Sequence, residues 1–309
     1  MYFQPFAKAK GIRLNEDIYL GGWGQFRAMQ ESQNVAWDVV EVEPSELARG
    51  CEEGLFARLD WSRIGSRDKF LPQAVSDCGV GVFTASIVVA YNLRTIGERR
   101  PTSMTDFWDL NTWPGRRGLR RGPKFNMEFA LLSDGVPPAE IYKTLRTEDG
   151  LLRVFRKIGS IKSSIIWWEA GAQPPELLMS GNVAMSLAYN ARIATAIRDG
   201  RSLGMVWQPS MITLDYWAIM KRTPFPEAAY DLLAMLAQPE RQADFARRFP
   251  YGPTYVEAAS MLDADQRREL PQGSNIANAL NLGSDEAIQF WLDRQDELTD
   301  RWNAWVARP

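Results

Sequence analysis

Ile165-Ile166-Trp167-Trp168-Glu169-Ala170-Gly171 sets a short apolar strand, ending in tryptophan, directly before the start of a helical stretch. The arrangement returns downstream. Val183 to Tyr189 precedes Asn190-Ala191-Arg192, Gly204-Met205-Val206-Trp207 runs into Gln208-Pro209, and Ile212 to Ile219 carries Asp215 in its middle. Short apolar strands alternating with helices predict an open α/β sheet, in which the carboxyl ends of strands line the ligand crevice. Trp168, Tyr189 and Trp207 are therefore expected to converge on one aromatic cleft for a small molecule.

Upstream, Pro5 to Ala9 reads as a helix end closed by Gly11, and Ile12 to Leu20 alternates like a strand. A helix over 24–32 follows, then a strand from Trp37 to Glu43, and Pro44-Ser45-Glu46 opens another helix. Gly79 to Asn92 is a nearly continuous apolar run, as expected of a buried or domain-crossing strand. Beyond it, a short helix is expected at Thr105 to Leu110, Asn126 is placed to cap Met127 to Asp134, and helices follow over Ala139–Leu145 and Asp149–Ile158. After Ile219 the pattern is helical to the end, with starts at Pro226, Pro239 and Ser284. Crossings near 87–92 and 216–219 would make residues 1–88 and 220–309 one lobe, with 89–219 inserted as the other.

A chain of 309 residues fits two such lobes. Its net charge of −2 gives no attraction to nucleic acid or an anionic membrane surface, and no apolar run is long enough to span a bilayer. There is no histidine, which excludes Ser-His-Asp and Cys-His nucleophile systems and imidazole-ligated zinc. No cofactor or metal motif is present. Cys51 and Cys78 are either two buried thiols or a disulfide; as a disulfide they would imply an oxidising compartment and stabilise by about 3 kcal/mol. Met1-Tyr2-Phe3-Gln4-Pro5-Phe6 lacks the features of a secretory signal, so the sequence taken literally reads as cytoplasmic.

Asp77-Cys78-Gly79-Val80-Gly81, Ala90-Tyr91-Asn92, Phe107-Trp108-Asp109 through Trp113-Pro114-Gly115-Arg116-Arg117, Glu128-Phe129-Ala130-Leu131-Leu132, Trp167 to Gln173 and Tyr251-Gly252-Pro253 occur in an order and spacing that resemble one family. It is the spermidine/putrescine branch of bacterial ABC-transporter solute-binding proteins. The resemblance implies a two-lobed type II periplasmic-binding-protein fold with hinge strands, closing on a small amine-bearing ligand, with no catalysis. It also implies ABC permease subunits as partners, a monomer and a periplasmic location. Relatives resemble one another in a first strand ending in a Trp-Gly-Gly-like turn. This sequence starts after it, so the natural start is expected to lie upstream.

Glu43 stands where the strand runs out; it is either a solvated carboxylate favoured by the following helix dipole, worth roughly 0.3–1 kcal/mol, or a contact for an ammonium group. Asp215 lies in an otherwise apolar strand, where an unpaired charge costs several kcal/mol; Arg192 or a ligand ammonium would compensate it. By resemblance Asp215 holds the ammonium, Tyr189-Asn190 occupies the turn whose aromatic stacks on the ligand, and Tyr251 lends a hydroxyl. A cation over Trp168, Tyr189 or Trp207 would gain about 0.5–2 kcal/mol. Arg192 offers a planar fork to a carboxylate, which with an acid would select a γ-amino acid over a diamine. Thr213 stands two before Asp215, where a polyamine binder would carry tryptophan, and weakens the case for a long polyamine. Thr84 and Ser86 are hydroxyl candidates near the hinge, and the run Arg116 to Arg121 reads as a solvated face. The rival reading is a carboxylate-based hydrolase. A ligand sensor without a transport role is the third.

Overall fold

Val80 to Asn92 forms one strand of thirteen residues, almost wholly buried, along which the chain passes from one compact unit to another. The computed structural model describes residues 2–19, 23–32 and 35–308. In chain order the elements are α1 (Phe3–Lys10), α2 (Gly24–Ser32), β1 (Val39–Val42), α3 (Pro44–Glu52), β2 (Val80–Asn92), β3 (Arg117–Arg120), α4 (Asn126–Ser133), α5 (Ile141–Leu145) and α6 (Glu148–Gly159). They continue with β4 (Ile165–Trp168), α7 (Gln173–Met179), β5 (Met185–Tyr189), α8 (Asn190–Arg198), β6 (Leu203–Ile219), α9 (Pro226–Leu236), α10 (Pro239–Arg248), β7 (Gly252–Pro253), α11 (Ala264–Arg268), β8 (Leu280–Asn281) and α12 (Asp285–Val306). Among the described residues no helix is long and apolar enough to cross a membrane.

The first unit comprises Met1–Phe83, Leu214–Phe245 and Pro253–Asp263. Here β1 runs antiparallel to the end of β6, with Val39 opposite Ile219 and Val42 opposite Tyr216. Val40 and Val42 turn inward to a core that includes Leu47, Phe56, Trp61 and Phe70, as the period of two demands. α9 buries Ala229, Leu232, Leu233 and Leu236, the spacing of one helical face. Cys51, in α3, and Cys78 form a disulfide with their Cα atoms 5.7 Å apart. Gly79 follows it at a close approach, where a Cβ would stand 2.8 Å from a Leu47 methyl carbon. Ile12 to Tyr19 form no strand, contrary to their alternation; Leu20 lies outside the described residues. Ile18 is 77% exposed, and Asp17 accepts the Ile18 N–H at 2.8 Å and the Trp37 indole N–H at 3.1 Å. These local bonds compete with a ladder.

The second unit comprises Thr84–Thr213, Ala246–Gly252 and Ala264–Pro309. β4, β3 and β5 lie parallel and side by side, with Arg117 opposite Ile165 on one flank and Met185 on the other. β2 runs antiparallel to β5, placing Ile87 opposite Tyr189. α12 packs in this unit, whereas the sequence expectation put all of 220–309 with the first 88 residues. Its stripe of Ala287, Phe290, Trp291, Leu298 and Trp302 is wholly buried in the core of α4, α5 and α6. The Trp291 indole N–H donates to Glu128 of α4 at 2.8 Å. The chain changes unit at 83/84 and 213/214, inside β2 and β6, and again around α10 and Ala264.

Three local expectations are corrected. Gly204–Trp207 and Ile212–Ile219 belong to one 17-residue strand, β6, with a cis Gln208–Pro209 bond inside it. Asn126 does not cap α4. It is the first helical residue, and its amide turns back to donate to the Arg120 carbonyl at 2.6 Å and the Gly122 carbonyl at 2.7 Å. Nor is the arginine run a solvated face throughout, although Arg116 and Arg121 at its two ends are exposed. Arg117 is fully buried, donating to the backbone carbonyls of Phe107, Asp109, Trp113 and Gly115. These bonds offset the cost of burying its charge.

Candidate functional site

Parallel pairing brings the carboxyl ends of three strands of the second unit together. Arg120 ends β3 opposite Trp168, which ends β4, and Tyr189 ends β5 one strand away. The Trp168 and Tyr189 rings meet at 6.3 Å between centroids, inclined at 64°. Phe125 meets the Tyr189 ring edge-on at 6.4 Å, and the Arg120 guanidinium lies over the Phe125 ring at 4.8 Å. Trp168 is only 1% exposed, so it backs Tyr189 from the core; Tyr189 and Arg120 are half-buried. Two of the three expected aromatics thus converge. Trp207 does not end a strand; it is a half-buried residue within β6.

Asn190 is used differently from the expectation of a ligand contact. It is fully buried, its Oδ1 accepts the Ser86 N–H at 2.9 Å, and its Nδ2 donates to the Pro250 carbonyl at 2.8 Å. Both ends of the amide are committed to backbone, clasping β2 and the Pro250–Gly252 segment to the start of α8. Thr84 belongs to the same clasp. Its buried hydroxyl donates to the Gly252 carbonyl at 3.4 Å, and a Cβ on Gly252 would lie 2.2 Å from that oxygen. Tyr251 is 8% exposed beside them. Ser86 also is wholly buried. Arg192, in the first turn of α8, is exposed and forms no ion pair among the described residues.

In the first unit two carboxylates follow the paired stretch of β1 and β6. Val42 faces Tyr216 at the last step of the register, and Glu43 and Asp215 are the next residue on each chain. Both are half-buried. Glu43 also stands at the N-cap of α3 in a capping box, where Glu46 accepts the Glu43 N–H at 3.2 Å. Beside Asp215, the Tyr216 hydroxyl titrates well above the ordinary phenol range, first from burial and second from the Asp215 charge. The hydroxyl donates to the Gln73 carbonyl at 2.5 Å.

Chemically, one unit offers two carboxylates at a strand end and the other offers guanidinium and aromatic groups at strand ends. Arg120 was missed in the sequence because it sits in a run of four arginines among six residues. The alternation of Arg117 and Gly118 with Leu119 and Arg120 on a strand was the available signal. Among the described residues no group of three or more His, Cys, Asp or Glu side chains is placed to hold a metal ion.

Residues 1–271 match the sequence family described as bacterial extracellular solute-binding protein. The chain is 42% identical over 308 residues to the gamma-aminobutyric acid-binding protein of Pseudomonas aeruginosa, which covers 99% of this chain and 86% of that protein. A solved structure described as a GABA receptor superposes with a TM-score of 0.84 at 31% identity, covering 100% of this chain and 92% of that one. The spermidine/putrescine ABC transporter substrate-binding protein of Streptococcus pneumoniae superposes with a TM-score of 0.70 at 15% identity, covering 98% of this chain and 94% of that one. At that distance the likeness is one of fold. The expected resemblance is therefore held at the level of the solute-binding proteins and their two-lobed α/β fold.

Proposed function

Because the chain belongs to the bacterial extracellular solute-binding protein family, we propose that it captures a γ-amino acid, with γ-aminobutyric acid as the reference ligand, for an ABC importer. The observation that carries this reading is that the first unit has Glu43 and Asp215 just past the paired ends of β1 and β6, while the second has arginine and aromatic side chains at the ends of β3, β4 and β5. Carboxylates suit the ammonium of such a ligand, and a guanidinium fork suits its carboxylate. The methylene chain would lie against Tyr189, with Tyr251 and Trp207 as further contacts. A diamine has no group for the arginine. Thr213, buried at the position where the resemblance expects tryptophan for a polyamine, points the same way. The name of the 42% identical relative supports the choice.

Roughly micromolar binding corresponds to about −8 kcal/mol, which two charged contacts and one aromatic wall are asked to supply. A periplasmic location fits the family and the Cys51–Cys78 disulfide, which persists in oxidising compartments. The protein would act as a monomer, hand its ligand to permease subunits and release it unchanged. Thermal-shift measurements over diamines, polyamines and ω-amino acids test the reading. A ligand at a hundred times its Kd stabilises by about 2.7 kcal/mol. γ-Aminobutyric acid should raise the unfolding midpoint and putrescine and spermidine should not; a response to the amines alone would overturn the choice of ligand.

A further inference from the structure

Within the second unit, between the end of β4 and the last turn of α12, lies a hollow of about 480 Å³ lined by Arg121, Trp167, Trp302, Asn303, Val306 and Ala307. Its size is that of a small-molecule site. β4 turns its two tryptophans to different partners, as strand alternation requires: the Trp168 ring meets Tyr189, whereas the Trp167 ring meets Trp302. Trp167 and Trp302 stand edge to face, 5.6 Å between centroids and inclined at 78°, so they form two walls of a corner. Trp302 is fixed from behind by Phe155 at 6.3 Å and Trp305 at 5.5 Å. It is buried, and its indole N–H finds no acceptor among the described residues. An acceptor brought to that ring offers the donor the partner it lacks.

Among the described residues Arg121 is the charged member of the lining. Its backbone N–H donates to the Trp168 carbonyl at 2.7 Å, which ties it to the end of β4. Its guanidinium gives one bond, at 2.9 Å, to Glu169, and both side chains are largely exposed. Such a pair is weak and uses one of five N–H donors. The carboxyl end of α12 would by itself oppose an anion. Lys162 already meets it, donating to the Trp305 carbonyl at 2.8 Å and to the Arg308 carbonyl.

We propose that this hollow is a second binding site, for an aromatic carboxylate, with the ring in the corner of Trp167 and Trp302 and the carboxylate on the Arg121 fork. A planar guanidinium takes a carboxylate through two parallel hydrogen bonds, and the indole walls, with Val306 and Ala307, take a flat apolar ring. The site is independent of the γ-amino acid reading, because a short ω-amino acid has no ring to fill the corner.

The test is isothermal titration calorimetry of 2-naphthoate into the full chain, alone and in an excess of γ-aminobutyric acid, with uncharged 2-naphthalenemethanol as the comparison. 2-Naphthoate should bind at one site, with an affinity that the excess amino acid changes by less than twofold, and at least tenfold more tightly than the alcohol. Arg121→Gln, its fold checked by the thermal midpoint, should lose at least tenfold in 2-naphthoate affinity. No heat from 2-naphthoate, its displacement by γ-aminobutyric acid, or binding to Arg121→Gln within twofold of the wild type would overturn the proposal. Should Arg121→Gln fail to fold, Asn303→Asp, an exposed change that sets a carboxylate on the lining, should weaken 2-naphthoate at least threefold, and equal binding would overturn it. A wild-type chain that binds 2-naphthoate in this manner but no ω-amino acid would support this site and overturn the ligand reading alone.

Discussion

Replacing both Cys51 and Cys78 with alanine should weaken the first unit by about 3.5 kcal/mol. The magnitude follows from the 27-residue separation of the two cysteines, since a cross-link over such a loop removes about 12 cal/mol/K of chain entropy from the unfolded state. The bridge joins α3 to the approach of β2, so the denatured chain loses the freedom of the whole segment between the two cysteines, including the turns around Trp61 and Phe70. Cys78 is fully buried among apolar neighbours, which is why alanine rather than serine is the substitution. For a unit of this size the loss corresponds to a thermal shift on the order of 10 °C. Guanidinium unfolding gives the free energy, and hydrogen exchange localises it: protection should fall in β1, α3 and α9 and hold in α6 and α12. A reductant should bring the wild type to the stability of the variant and leave the variant unmoved. An oxidised wild type and a variant that unfold together, within about 1 kcal/mol, would refute the loop-entropy argument.

Asp215→Asn keeps the shape of the side chain but removes its charge; ligand affinity should drop by about 2 kcal/mol, roughly thirtyfold, by calorimetry. Glu128 is completely buried, accepting the Trp291 indole N–H and the Tyr142 hydroxyl, and burial holds its carboxyl above the ordinary carboxylate range. The folded protein therefore keeps that proton to higher pH than the unfolded chain. This contribution is complete below the unfolded value near about 4.3 and is lost, at about 1.4 kcal/mol per pH unit, as pH rises through the folded value. Glu128→Gln should remove that part of the slope, as urea unfolding at several pH values will show. Arg117→Met leaves four backbone carbonyls without their donor and should cost about 3 kcal/mol or more in chemical denaturation. Gly252→Ala forces a methyl toward the Thr84 hydroxyl, 2.2 Å away, and should lower the thermal midpoint by several degrees, about 1–3 kcal/mol of overpacking.

The alternation of strands and helices was legible because each element carries its own period: the stripe of α9 and the inward valines of β1 can be read without a partner. Residues 12–19 were not, since alternation alone does not supply the neighbouring strand that would bury Ile18. The destination of α12 was equally hidden. Its apolar stripe says that it packs, and only the complementary surface of α4, α5 and α6 says where. At the candidate site, Trp168 and Tyr189 were found from strand ends, and that Glu43 and Asp215 both stand next to the Val42–Tyr216 pair follows only once the β1 and β6 register is known. Asn190 shows the converse: the resemblance sets it in a ligand-binding turn, whereas its amide is spent on Ser86 and Pro250. Gln208-Pro209 read as a break because proline cannot donate to a ladder, yet β6 continues through it.

Titration calorimetry of the wild-type chain with γ-aminobutyric acid and, in parallel, putrescine tests the charge-matching claim most directly. The account predicts one site per chain with a Kd of roughly micromolar for the amino acid and at least a hundredfold weaker binding of the diamine. Tight binding of putrescine with no heat from γ-aminobutyric acid would contradict it.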